Sequence, residues 1–232
     1  MVTRYEVKLL HRRQVAEHTM EFTLEKPGGF EYRAGQFGDL VLPAGSGLDE
    51  SHAKHGFSFV SAPFEDTLRM ATRMRESSAF KQAAARLPEG SRVALLALWG
   101  SFTLHKNTRT PALFLTGGIG ITPVRSIICQ ALHEDSGHEI SLIYSNRSPE
   151  QAAYHAELQQ LSREHPRFHY LPVFTASQGH VSAQTLREHG GDIARSICYL
   201  SGPMGMVKDM RALLVEAGAD EDHIRTEEFE GY

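Results

Sequence analysis

The sequence predicts an α+β chain of two domains, an N-terminal antiparallel β-barrel and a C-terminal α/β domain on a parallel sheet. Through residue 107, short apolar–polar alternations are broken by Pro27-Gly28-Gly29, Ala34-Gly35 and Pro88-Glu89-Gly90, the rhythm of a small barrel. From residue 108 to 232 the pattern becomes strand then helix, repeated, as in a parallel sheet. Two of those later strands run straight into glycine-rich turns, TGGIGITP at Thr116 to Pro123 and SGPMGMV at Ser201 to Val207.

In chain order, Tyr5, Val7 and Leu9 alternate, then Met20, Phe22 and Leu24, then Phe37, Leu40 and Leu42. Gly45 to Lys54 reads as a polar loop. Phe57-Ser58-Phe59-Val60 and Leu68 to Thr72 are two further strands. Ser77 and Ser78 precede a short amphipathic helix at Ala79 to Leu87, with a serine cap that makes its start a second anion site or a plain cap. A strand at Val93 to Leu98 follows, and Thr103-Leu104 reads as a strand end. His105 to Thr110 is the linker. The strand–helix units are 112–116 with 123–133, 140–145 with 150–162, 169–174 with 182–189, and 197–200 with 205–217. A last strand lies at Ile224 to Phe229.

The first glycine turn carries the strongest chemical signal. Ala112 to Leu115 has no polar residue, as a strand covered on both faces should. Thr122 is placed to cap the following helix and Pro123 to open it. Strand, glycine turn and helix start together aim backbone N–H groups at a phosphate, and Gly117, Gly118 and Gly120 let a ligand approach the main chain. An ordinary strand-to-helix turn would use the same residues. The second loop, at Gly202, Pro203 and Met204, shifts the balance, because two such loops suggest the walls of a crevice where strand order reverses.

Composition narrows the classes. Of 232 residues, 41% are hydrophobic and 22% charged, as in a globular protein, and the net charge of −4 argues against nucleic acid. Met1 to Phe22 carries charges throughout, which reads against a signal peptide, and no apolar run is long enough to span a bilayer. Cys129 and Cys198, the two cysteines, read as core packing in a reducing compartment, and two thiols cannot hold a four-cysteine cluster. No histidine spacing suggests a metal. The expectation is a cytoplasmic monomer without a membrane span.

A β domain ahead of GGIGITP and SGPMGMV resembles the ferredoxin–NADP reductase superfamily over nearly the whole chain. The ending Glu227-Glu228-Phe229-Glu230-Gly231-Tyr232 is similar to that of stand-alone bacterial FAD-dependent NAD(P)H reductases ending in FxGY. The resemblance implies an FAD-binding barrel (FMN being less favoured) and a domain for NADH or NADPH. His55-Gly56-Phe57-Ser58 falls on the family's RxYS motif. Ser58 then stands beside flavin N5 and Phe57 packs on the ring. His55 replaces a phosphate-binding arginine, for which Arg73 or Arg75 and the N–H groups after Ser77 would substitute. Thr72-Arg73-Met74 with Ser77 and Ser78 matches the phosphate segment. Thr116, Gly117, Gly118, Gly120, Thr122 and Pro123 match the pyrophosphate loop, and Ser145-Asn146-Arg147 the ribose site. Ser201 stands where the family often has cysteine. Glu227 and Phe229 match the terminal acidic-x-aromatic pattern, with Phe229 covering the flavin.

The implied reaction is hydride transfer from NAD(P)H to FAD, then electron transfer to an iron–sulfur protein, a cytochrome or a small-molecule acceptor. Ser58, Glu227 and Phe229 are its catalytic candidates. A flavin-free dehydrogenase and a non-catalytic nucleotide-sensing or subunit-like module are the alternatives. The missing substrate domain with a catalytic base counts against the first, while His55 and Ser201 keep the second open.

Overall fold

The computed structural model describes residues 3–229; the Glu230, Gly231 and Tyr232 of the expected ending lie outside the described residues. Its first part comprises β1 (Thr3–Ala16), β2 (Thr19–Glu25), β3 (Phe37–Val41), β4 (Lys54–Ser58), β5 (Thr67–Arg73), α1 (Ala79–Arg86) and β6 (Arg92–Trp99). The six strands pair antiparallel in the order β4-β3-β6-β1-β2-β5. The two ends of this sheet meet where Phe59 bridges Met70 and the Val60 N–H donates to the Arg69 carbonyl at 2.7 Å, which closes the barrel. Inside it pack Leu9, Phe22, Leu24, Phe59, Leu68 and Leu95, together with Phe80 from α1. These are the inward positions of the alternations.

The second part is β7 (Ala112–Gly117), α2 (Ile121–His133), β8 (Ile140–Asn146), α3 (His155–Glu164), β9 (Phe168–Phe174), α4 (Thr175–Gln178), α5 (Ala183–His189), β10 (Ile197–Pro203), α6 (Met204–Glu216) and β11 (Ile224–Phe229). All five strands are parallel, in the order β11-β10-β7-β8-β9. Order therefore reverses between β7 and β10, the strands carrying the two glycine loops. One face packs on α2 and α3 through Phe114, Leu142 and Tyr144; the other packs on α5 and α6 through Leu113, Leu115 and Leu200.

The barrel and the sheet share a core. Val60 and Ala71 of the barrel belong to the same apolar cluster as Val124, Ile127 and Phe114. Helix α2 is the shared layer: every residue from Ile121 to Cys129 is buried, the helix being covered by sheet on one side and barrel on the other.

Three local expectations are corrected. A 3-10 turn at Gly118–Gly120 comes first, so α2 starts before Thr122, and the capping position falls on Gly120, which has no side chain. Thr122 instead donates its hydroxyl to the Ile119 carbonyl at 3.0 Å. Thr103 and Leu104 form no strand, because this segment crosses between the sheets, where Arg225 takes the Thr103 carbonyl at 2.9 Å. The helix expected from residue 150 begins at His155, after a 3-10 turn at Pro149–Gln151, because Tyr154 sits at φ +62°.

Candidate active site

Strand β4 ends at Ser58, and β11 runs towards it from the other sheet. Ser58 Oγ donates to Glu227 Oε1 at 2.7 Å, joining residues 169 positions apart. Burial pushes the Glu227 carboxyl up to about 7, with the Ser58 bond pulling it back slightly. A carboxyl so placed changes charge near neutrality.

Two cavities flank this bridge and share His55, Gly56, Phe57, Ser58 and Phe229. The larger, of about 560 Å3, is lined further by Phe37, Phe102 and Glu227. The smaller, of about 40 Å3, reaches Thr72, Arg73 and Lys81 of the barrel and Ile119 and Thr122 of the glycine loop. His55 lies flat on Phe57, with ring centres 4.7 Å apart and 21° between planes, and its Nδ1 is bonded to the Gly56 carbonyl at 2.9 Å.

The glycine loops are tied to one another. Thr116 Oγ1 donates to the Ser201 carbonyl at 2.9 Å, Ser201 Oγ donates to the Gly120 carbonyl at 2.8 Å, and the Tyr144 hydroxyl donates to the Gly118 carbonyl at 2.8 Å. Of the three loop glycines, Gly118 alone takes positive φ, at +54°. Gly120 is needed for close approach instead: a Cβ there would lie 2.4 Å from the Ser201 carbonyl oxygen. Ser201 is fully buried, with its hydroxyl committed to this staple. Pro123 is buried in the first turn of α2, and Met204, 53% exposed, opens α6 beside Gly202 and Pro203.

Ser145 stands opposite Gly117 on β8, followed by Asn146 and Arg147. Asn146 is 7% exposed, and its Nδ2 has no hydrogen-bond partner. An unmade bond of this kind costs about 1–3 kcal/mol and marks a place where a polar ligand would be held. Ser78 caps α1 by accepting the Lys81 N–H at 3.3 Å, while Met74 and Ser77 lie on the turn leading to it, outside both cavities.

A seam beside the site was not legible in the sequence. The Arg125 guanidinium on α2 is 3% exposed, and all five of its N–H groups have acceptors: Glu157 takes two, Glu65 two, and the Val60 carbonyl one at 2.8 Å. Next to it, Ser126 Oγ donates to the Ser61 carbonyl at 2.6 Å. Glu65 also holds Arg69, Arg69 holds the buried Glu21, and Glu21 holds Arg13 and accepts from the Tyr154 hydroxyl at 2.9 Å. The one available signal was a charged residue inside an apolar helix. A groove of about 640 Å3 along this seam is lined by Arg13, Arg69 and Glu157, groups already paired with neighbours. Cys129 and Cys198 are both buried, and burial pushes each thiol up to about 12, which disfavours the reactive thiolate at neutral pH.

Residues 114–212 match the oxidoreductase NAD-binding domain family. The chain is 26% identical to ferredoxin–NADP reductase B of Sorangium cellulosum, over 97% of this chain and 98% of that one. It is 25% identical to the reductase component of propane 2-monooxygenase of Rhodococcus jostii, over 88% of this chain; there it spans 57% of the relative's length, and it spans about half of several other curated relatives. Among solved structures, a ferredoxin NADP+ reductase from Neisseria gonorrhoeae with bound FAD and NADP superposes with a TM-score of 0.82 at 22% identity, covering 97% of this chain and 98% of that one. A cytochrome P450 reductase from Amycolatopsis gives 0.84 at 22% identity, covering 99% of this chain and 71% of that one. Barrel, switch-point sheet, matched nucleotide domain and end-to-end relative agree: over nearly its whole length the chain is similar to ferredoxin–NADP reductases and shares their two-part fold.

Proposed function

We propose that the chain is an FAD-dependent NAD(P)H oxidoreductase. Residues 1–107 hold the flavin, residues 108–232 hold the reduced pyridine nucleotide, and electrons leave to a ferredoxin-like or other redox acceptor. The observation that carries this reading is the Ser58–Glu227 bridge at 2.7 Å, made between the two sheets and bordered by aromatic rings. A carboxyl that titrates near neutrality and a cavity lined by Phe37, Phe57, Phe102 and Phe229 suit hydride transfer, which needs positioning and exclusion of water more than acid–base chemistry.

The residues present fit a flavin. Phe57, Phe102 and Phe229 offer ring faces and edges, and the adjoining small cavity is basic, at Arg73 and Lys81. Bound flavin would supply the redox chemistry, accepting two electrons as hydride and releasing them singly or paired. Ser58 orients its hydroxyl against Glu227, and Glu227 holds or releases a proton at its carboxyl. The stapled Gly117–Gly120 turn offers N–H groups to a pyrophosphate, and Asn146 offers its amide to the adenosine side. Helix α2 fixes these loops against the strand end after Ser58, through Val60 and Ser61.

A relative named as a ferredoxin reductase and another named as an oxygenase component support a protein acceptor, either an iron–sulfur protein or a cytochrome, alongside small-molecule acceptors. No helix of the described residues is long and apolar enough to cross a membrane. Our reading is of a monomer acting in the cytoplasm.

The test is spectroscopic. The purified protein is expected to be yellow, or to become so with added FAD, and to bleach when NADH or NADPH is added without oxygen. A colourless protein that binds no FAD refutes the reading. A yellow one that neither nucleotide reduces leaves a binding module in its place.

A further inference from the structure

A phosphate group is best held by donors with a fixed charge. His55, standing where the family has arginine, does not provide one. The Gly56 carbonyl beside its Nδ1 can only accept, so the hydrogen sits on Nδ1. In the neutral ring this leaves Nε2 as a lone pair, which repels a phosphate oxygen. The ring is also committed to its stack on Phe57.

Lys81, in the first turn of α1, lines the same small cavity as His55 and Arg73. Its ammonium is partly buried and donates to the Arg73 carbonyl at 3.0 Å, which leaves two N–H groups for another acceptor. Among the described residues no carboxylate pairs with Lys81, and the Arg73 guanidinium meets the neutral amide oxygen of Gln151 at 3.2 Å. Burial, and then the neighbouring charge of Arg75, hold the Lys81 ammonium below its usual pKa. Cations thus converge on one cavity that holds no carboxylate, an arrangement that an incoming anion would relieve. Phe57 and Ser58 line this cavity too, and it shares them with the larger one, so a ligand whose ring system occupies the larger cavity would extend its phosphates here.

We infer that Lys81 supplies the positive charge that binds the flavin phosphates, in place of the arginine that His55 displaces. This rests on the flavoprotein reading and names a residue within it. Ile119 and Thr122 also line the cavity, so pyridine-nucleotide phosphate is the rival source of the anion.

The experiment titrates full-length apoprotein with FAD, FMN and riboflavin, without pyridine nucleotide. Lys81→Met is expected to weaken FAD and FMN about ten- to a hundredfold while changing riboflavin, which has no phosphate, less than about threefold; Lys81→Arg is expected to keep FAD within about threefold of the parent. Thermal melts of both variants check that they fold. Equal weakening of FAD and riboflavin would assign Lys81 a structural role and overturn the inference. So would unchanged FAD affinity, including the case where the KM for NADPH rises instead. A parent protein that binds none of the three flavins would overturn the flavoprotein reading and this one with it. A parent that binds them beside an unaffected Lys81→Met would overturn this one alone.

Discussion

Glu227 is a carboxyl kept where its charge is costly. Burial holds it at about 7, against an ordinary value of 4.5. Below the ordinary value both folded and unfolded chains are protonated there, and the residue costs nothing. As pH rises from there through 7, the unfolded chain gives up its proton first, so the folded state loses ground. Glu227→Gln, which keeps an acceptor for Ser58, is therefore expected to be more stable than the parent at pH 8, by up to about 3 kcal/mol, and equal to it near pH 4 by denaturant titration. The same change should flatten the pH dependence of flavin reduction, which in the parent should have an inflection near 7. A parent profile without that inflection would mean that Glu227 does not titrate during turnover. Ser58 and Glu227 could be singled out because each lies in a local run of sequence, and the structure brings the two side chains together. Arg125 could not: its partners lie 32, 60 and 65 positions away, and no periodicity records that.

At the scale of elements, the two glycine loops form one built object. β7 and β10 are hydrogen-bonded neighbours, and the backbone of Gly120 can lie close to that of Ser201 because Gly120 has no Cβ. Gly120→Ala would drive a Cβ to within 2.4 Å of the Ser201 carbonyl oxygen, and since that contact is with backbone, the loop must shift. The expected result is a KM for the pyridine nucleotide raised at least about tenfold, with flavin content unchanged; an unaltered KM would place the nucleotide elsewhere. Strand order was readable here, since two glycine turns on apolar strands point to a reversal. The start of α2 was misplaced because Thr122 and Pro123 carry the usual helix-opening chemistry one 3-10 turn too late. Likewise Tyr154 holds left-handed backbone without being glycine, so α3 gave no sign of its delayed start.

Across the whole molecule, the barrel and the sheet are sewn together by a ribbon in which Arg13, Arg69 and Arg125 alternate with Glu21, Glu65 and Glu157. Removing a partner from such a buried set leaves charges stranded, at a cost of about 3–5 kcal/mol. Arg125→Met is expected to destabilise by that order and to split a single calorimetric transition into two, as barrel and sheet lose their common layer. A single transition with an unchanged midpoint would show that the apolar contacts of α2 suffice. The two-part architecture could be read from the change of rhythm along the chain; the seam could not, because joining surfaces are defined by which faces meet.

This ribbon also divides what ionic strength can reach. Its inner charges, on Glu21, Arg69, Glu65 and Arg125, sit in direct contact and largely out of water, well inside the Debye length of about 8 Å in physiological saline, so dissolved ions screen them weakly. Exposed charges have no such shelter. Added salt should accordingly weaken any charge-steered encounter at the surface while leaving the alignment of barrel and sheet as it was.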